Sequence, residues 1–374
     1  MGAVGGIMDE FKYLAIVEWA KRAINEQGLQ AGDRFFSEAE LCEIHNVSRQ
    51  TVRQALAVME SENMVWRKQG SGTFVQTPGR GLGKKSFTVG LISTYFSDYI
   101  FPSIVTGIEL VMAKNNVAIQ LAMTRNMVSE EARALQTMLA QNVRGLIVEP
   151  SKSALPNPNT VLYEEIRARN IPLVFFNAKY PNLNFPCVTM DDVAAGCTVT
   201  EYLISHGHRK ISAILNSDDI QGHKRYLGFL KSLDDNGIPM AEQRVMWFST
   251  QERPNLFTLS ADRILTLLKD STAVVCYNDS LAVSLLEFCK QRGIRIPGDL
   301  SIVGIDDSSQ ARICEVPLTT VHHPQQQLGE CAAEVLLKMI DNPASDTGDV
   351  LFVPELVERA SAKYTNDAYE RAEK

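Results

Sequence analysis

The chain has 374 residues, a formal net charge of −7, 45% hydrophobic and 22% charged residues, the profile of a well-packed chain of two or three domains rather than a disordered or fibrous one. No apolar run reaches the roughly 18 residues that a membrane-spanning helix needs, and the first residues show neither the basic nor the apolar stretch of a secretory signal. Seven cysteines are scattered without a C-x-x-C pair, which reads as reduced cytoplasmic thiols with no disulfide framework and no structural metal.

The first elements are short helices. Tyr13, Val17, Ala20 and Ile24 recur at helical spacing and predict a helix ending near Gly28. Ser37 and Glu40 have capping-box spacing, so a second helix begins there. His45-Asn46-Val47 forms a turn, after which Ser48 caps a third helix with Val52, Ala55, Leu56 and Met59 on one apolar stripe. Arg49 and Arg53 share a face pointing away from that stripe. Residues 64–68 and 73–75 then flank a glycine-rich tip containing Gly70 and Gly72, which predicts a β-hairpin. Two helices joined by a tight turn and followed by a hairpin make a winged helix-turn-helix, spanning 8–76.

Its chemistry is that of a DNA reader. Between His45 and Lys85 seven basic residues face two acidic ones, Glu60 and Glu62, in an otherwise acidic chain. The first-turn hydroxyls of Ser48 and Thr51 suit phosphate oxygens. Arg49 and Arg53 offer bidentate donors to guanine, and Gln50 to adenine. Lys68 and Gln69 anchor the wing, and glycines at its tip allow close backbone approach. The strings GDRFFSEAEL, VSRQTVRQAL and QGSGTFV, covering nearly all of 10–76, resemble the DNA-binding domain of the GntR family. That resemblance implies DNA roles for Glu38, Ser48, Arg49, Thr51, Arg53 and Gly70. It also marks a departure: the family usually has arginine after Ser-Glu, where this chain has Ala39.

Residues 77–86 carry three glycines, a proline and three bases and read as a flexible linker. From 87 to 363, strands are predicted at Val89–Ile92, Ala118–Met123, Gly145–Val148, Leu173–Phe176, Ile211–Leu215, Ala273–Tyr277 and Ile302–Ile305, with a further one near Val245. Helical segments such as Pro102–Lys114 and Glu130–Gln141 lie between them. Strand–helix alternation of this length predicts a two-lobed α/β domain with parallel sheets. Ligands of such sheets sit beyond the carboxyl ends of the strands. There the chain places Tyr95, Asp98, Tyr99, Glu149, Lys152, Asn177, Gln221, Arg225, Phe248, Asn278 and Asp306. Carboxylates, amides and an arginine among aromatic faces suit a polyhydroxylated ligand. No nucleophile elbow, P-loop or compact G-x-G-x-x-G accompanies Asp306 and Asp307, so no catalysis and no cofactor are expected.

The segments VTMDDVAAGCTVTEYLISHGHRKISAI, RYLGF, CYNDSLAV and IPGDLSIVGIDDSSQARICEVPLTTV are similar to the effector domain of the LacI/GalR family. The resemblance implies a periplasmic-binding-protein-like fold and effector contacts at Asn177, Arg225, Asn278 and Asp306. ISTYFSDYIFPSIVTGIE, GLIVEPSKSALPNPN and DDIQGHKRYLGF resemble the arabinose-responsive branch of GntR–LacI chimaeric repressors. They imply L-arabinose as effector and add Glu149, Lys152 and Gln221 as its contacts. The expectation is a bacterial cytoplasmic homodimer that binds operator double-stranded DNA, is released by sugar, and dimerises through Pro102–Lys114. Another pentose or hexose, a nucleoside effector and a sugar-carrier protein are the competing expectations.

Overall fold

The computed structural model describes residues 5–26, 29–30, 32–61, 64–68, 72–76, 87–96, 99–343, 345 and 347–365. The predicted linker, residues 77–86, lies outside them. The chain divides into one compact unit up to Ser86 and another from Phe87.

The first unit contains α1 (Gly5–Glu26), α2 (Glu38–His45), α3 (Arg49–Ser61), β1 (Val65–Lys68) and β2 (Gly72–Val75). The Ser37–Glu40 capping box is formed in both directions. Asn46 ends α2 in the left-handed region at φ 51°, a conformation that asparagine tolerates better than most residues. The chain thereby turns sharply, and Ser48 Oγ accepts the Thr51 N–H at 3.2 Å to start α3. Ile16, Val17 and Ala20 of α1 pack on Leu41, Val52, Ala55, Leu56 and Met59. Strands β1 and β2 pair antiparallel from Val65–Val75 to Lys68–Gly72, closing the same core with Val65 and Val75.

The second unit continues in chain order through β3 (Thr88–Ser93), α4 (Phe101–Lys114), β4 (Ala118–Met123), α5 (Val128–Ala140), β5 (Leu146–Val148), α6 (Thr160–Ala168), β6 (Leu173–Phe176) and β7 (Cys187–Met190). Next come α7 (Asp192–Ser205), β8 (Ile211–Asn216), α8 (Ile220–Asp235), β9 (Val245–Phe248), α9 (Leu256–Leu259), α10 (Ala261–Lys269), β10 (Ala273–Cys276), α11 (Asp279–Lys290), β11 (Ser301–Val303) and α12 (Ser309–Ile313). The last elements are β12 (Thr320–His322), α13 (Gln325–Asp341), β13 (Val350–Phe352) and β14 (Glu355–Val357). Two parallel sheets result, ordered β13-β7-β6-β5-β3-β4 in lobe 1 and β11-β10-β8-β9 in lobe 2. The chain crosses between lobes after β7, between β12 and α13, and between β13 and β14.

Helices α7 and α8 cross in lobe 2 at nearly bare backbone. A Cβ on Gly196 would lie 2.2 Å from the Arg225 carbonyl oxygen, and one on Gly228 would lie 2.1 Å from that of Val193. Neither neighbour is a flexible side-chain end, so an added methyl must push the helices apart. Gly196→Ala is expected to destabilise the protein by about 1–3 kcal/mol, read from urea unfolding. Gly348→Ala, where a Cβ would meet nothing within 4 Å, is the control and should leave the midpoint in place.

Candidate functional site

A cavity of about 270 Å³ lies between the carboxyl ends of the two sheets. Tyr95, Tyr99, Glu149, Asn177, Gln221, Arg225, Phe248, Asn278 and Asp306 all line it. Asp98 falls outside the described residues. Lys152 is not among the lining residues; its ammonium lies 3.9 Å from Asp218 and its backbone N–H donates to Asn126. Asn126, Asp192, Asp219, Arg253, Tyr277 and His323 also line the cavity. Asn126 and Asp219 follow β4 and β8 by three residues each. The strand-end rule reaches both: Asn126 follows a strand after which no residue is singled out, and Asp219 lies two residues before Gln221 in the loop that leads to it.

Arg225 is the centre of the lobe-2 wall. Its Nε donates to Asp192 at 2.9 Å, its Nη2 to Asp306 at 3.3 Å, and its Nη1 to the Tyr277 carbonyl. The guanidinium lies 5.0 Å from the Tyr277 ring centroid. All three of Asp192, Arg225 and Asp306 are buried, so each charge depends on the others for compensation. On the lobe-1 wall Glu149 is buried too. It accepts from Ser93, from both the amide and hydroxyl of Thr94, and from Asn177 Nδ2 at 2.8 Å. Burial still pushes its carboxyl above the usual range.

Hydrogen bonds join the lobes across the cavity. Tyr99 donates to Asp306 at 2.6 Å, and Asn126 donates to Asp219 at 3.1 Å and to Thr250 at 2.8 Å. Ser153 Oγ accepts the Ile220 N–H at 3.0 Å. The backbones that aim these groups are unusual. Tyr99, Asn126, Asn177 and Asp306 have φ of 60°, 55°, 60° and 117°. Non-glycine residues in such conformations cost about 1–3 kcal/mol each and concentrate where a site needs a side chain aimed against local preference.

Among the described residues, six buried side-chain polar atoms have no partner, and three of them belong to this cavity: Asn177 Oδ1, Arg253 Nη1 and His323 Nδ1. Asn177 spends its amide nitrogen on Glu149 and so keeps an acceptor free. His323 is pushed down to about 4 by burial, so it is neutral at pH 7. Together these groups present donors and acceptors at one small cavity, the complement of a hydroxyl-bearing ligand.

In the first unit, Arg49 and Gln50 are exposed at the start of α3. Arg53 is exposed and donates to Glu38 at 3.1 Å. Glu38 also lies 3.9 Å from Arg67, which pairs with Glu60. Lys68 is exposed on β1 and Gly72 starts β2, whereas Gln69 and Gly70 fall outside the described residues. Thr51 is buried and its hydroxyl meets Ser48 Oγ at 2.9 Å, so it braces the helix start beneath the surface.

Residues 12–75 match the model of bacterial regulatory proteins of the gntR family, and residues 200–362 match the periplasmic binding protein-like domain. The arabinose metabolism transcriptional repressor of Geobacillus stearothermophilus is 39% identical over 94% of this chain and 98% of its own length. The protein of the same description from Halalkalibacterium halodurans is 37% identical over 94% and 96%. This chain belongs to that family of transcriptional repressors. The transcription regulator CcpA of Lactococcus lactis, at 24% identity, shares the fold with a TM-score of 0.67 over 75% of this chain and 100% of that one. The repressor is a DNA-binding regulator and not an enzyme, with a GntR-type reader joined to a LacI-type sensor. No helix among its described residues is long and apolar enough to cross a membrane.

One carboxyl of the cavity stands well above the ordinary aspartate range. Asp219 is pushed up to about 7, first by burial and then by Asp218. A carboxyl raised in the folded state holds its proton more tightly there than when unfolded. That contribution to stability is complete below the ordinary aspartate range and disappears as pH rises through about 7. The melting temperature of Asp219→Asn minus that of the unsubstituted repressor should therefore grow between pH 5 and pH 8. A difference flat across that window would contradict the assignment.

Proposed function

We propose that this repressor binds operator DNA as a homodimer in a bacterial cytoplasm, and that L-arabinose enclosed between its lobes releases it. The observation carrying the effector reading is the arrangement of Arg225, held by Asp192 and Asp306, with buried Glu149 lining the same cavity. A sugar hydroxyl both donates and accepts, so it can bridge a carboxylate and a guanidinium where an apolar ligand would strand both. The cavity is at the small end of ligand sites, which favours a monosaccharide. The descriptions of the two bacilli repressors point to arabinose among monosaccharides.

Release requires sugar to bind the two lobe arrangements unequally. Tyr99, Asn126 and Ser153 span the lobes, and a ligand competing for or adding to those bonds shifts their balance. The effect is reciprocal: operator DNA lowers sugar affinity by the factor that sugar lowers operator affinity. The dimer is proposed to use α4, whose Ile104, Ile108 and Met112 face inward while Leu110 is exposed. Each reader then presents Arg49, Gln50 and Arg53 to a half-site, with Ser48 and Lys68 on the phosphates.

Thermal unfolding with pentoses, hexoses and nucleosides tests the effector. L-arabinose at 100 times its Kd should stabilise the protein by about 2.7 kcal/mol and weaken operator binding in the same buffer. Glu149→Gln should lose at least about tenfold in sugar affinity while still binding operator. Tightening of the operator complex by L-arabinose would contradict release. A midpoint shift with another sugar or a nucleoside would reassign the effector.

Arg49→Ala and Arg53→Ala should each weaken operator binding by about 1–3 kcal/mol in anisotropy titrations at fixed salt, without lowering the melting temperature. Equal losses on operator and random DNA would demote both to phosphate contacts.

A further inference from the structure

Among the described residues two arginines line the cavity, and their surroundings differ. Arg225 is compensated by two aspartates. Arg253 begins a short turn (Arg253–Asn255) after β9, and no ion pair of it is found among the described residues. Its Nη2 donates to Ser280 Oγ at 2.9 Å, and its guanidinium carbon lies 5.9 Å from the Phe248 ring centroid. Its Nη1 is buried without a partner. The neighbours acting on it most strongly are Cys276, Tyr99 and Tyr277, none of them a carboxylate, and burial draws its pKa down.

Packing alone does not account for this group. Covering Phe248 needs only a long aliphatic stem, and bonding Ser280 needs only an amide. A guanidinium adds a charge and further donors, and a buried donor left unmet costs about 1–3 kcal/mol, more when charged. The cost is recovered when a ligand oxygen occupies the cavity beside Nη1. The bond of Nη2 to Ser280 and the neighbouring Phe248 ring limit how the guanidinium can turn before a ligand arrives.

We propose that Arg253 is a direct effector contact, donating Nη1–H to an acceptor oxygen of the bound sugar and thereby setting which sugars fit. This rests on the reading of the cavity as a sugar site. Arg225 reads hydroxyls on the carboxylate-rich side, whereas Arg253 reads an acceptor on the β9–α11 side. A hydroxyl oxygen at that point is held by a charge-assisted bond. A sugar lacking the oxygen leaves the guanidinium stranded.

Isothermal titration calorimetry with L-arabinose and its monodeoxy derivatives tests this on the full-length protein. In the unsubstituted repressor one derivative should bind about 10- to 100-fold more weakly than L-arabinose. Arg253→Met should weaken L-arabinose by a similar factor and bind that same derivative no more weakly still, because the oxygen and its donor are lost as one interaction. Arg253→Gln, which keeps a donor for Ser280, should show the same loss and guards against misfolding of the methionine variant. Unchanged L-arabinose affinity in both variants, or equal deoxy penalties with and without Arg253, would overturn the proposal. If the sugar panel selects another monosaccharide, the same cycle with its deoxy derivatives tests Arg253, and only the arabinose assignment falls. Absence of binding by every sugar overturns both.

Discussion

The buried guanidinium of Arg225 is the constraint around which the sensor is built. A charge at that depth is tolerable only with its partners in place, and removing one partner of such a group typically costs about 3–5 kcal/mol. The partners come from separate elements. Asp192 opens α7 directly after the chain leaves lobe 1, Arg225 sits on α8, and Asp306 follows β11. The glycine crossing of α7 and α8 brings the first two within reach. Asp306 then accepts from Tyr99 of lobe 1, so the network extends across the cavity.

Much of this was legible because it depends on local signals. Strand periodicity located the sheets, and the ends of the strands located Tyr99, Glu149, Asn177, Arg225 and Asp306. What escaped depends on distant neighbours. Nothing near Arg253 in the chain shows that it lacks a carboxylate, since that follows from where β9 and α11 bring Phe248 and Ser280. His323 escaped for a related reason: it follows β12, a strand of three residues that gives almost no periodic signal. Lys152 follows β5 as the strand-end rule requires, yet it stands outside the cavity lining, with its ammonium 3.9 Å from Asp218 of lobe 2.

The reader unit shows how a departure from a family pattern acts physically. Ala39 is exposed and can offer no donor where the family usually has arginine. Two of the cations that remain are paired: Glu38 accepts from Arg53 and lies 3.9 Å from Arg67, which Glu60 also meets. An exposed pair of this kind adds little stability. Its effect is orientation: Glu38 favours one direction for the Arg53 fork, the group proposed to meet a base edge.

The division of apolar and polar contacts explains how so small a ligand can govern so large a protein. The hydrophobic clusters of the sensor stay within single lobes, with Met190 at the end of β7 the residue that joins the opposite one. Each lobe therefore keeps its own shape, fixed by close packing. The lobes meet through polar contacts, among them the hydrogen bonds of Tyr99, Asn126 and Ser153, that of the Ala154 N–H to the Asp218 carbonyl, and the approach of Lys152 to Asp218. Each such bond is worth only about 0.5–1.5 kcal/mol net, while moving a two-state balance from one side to the other takes about 5.5 kcal/mol of differential binding. In the proposed complex, a handful of sugar hydroxyls bonded to groups on both walls supplies energy on that scale. The same hydroxyls would have no such leverage on an apolar seam.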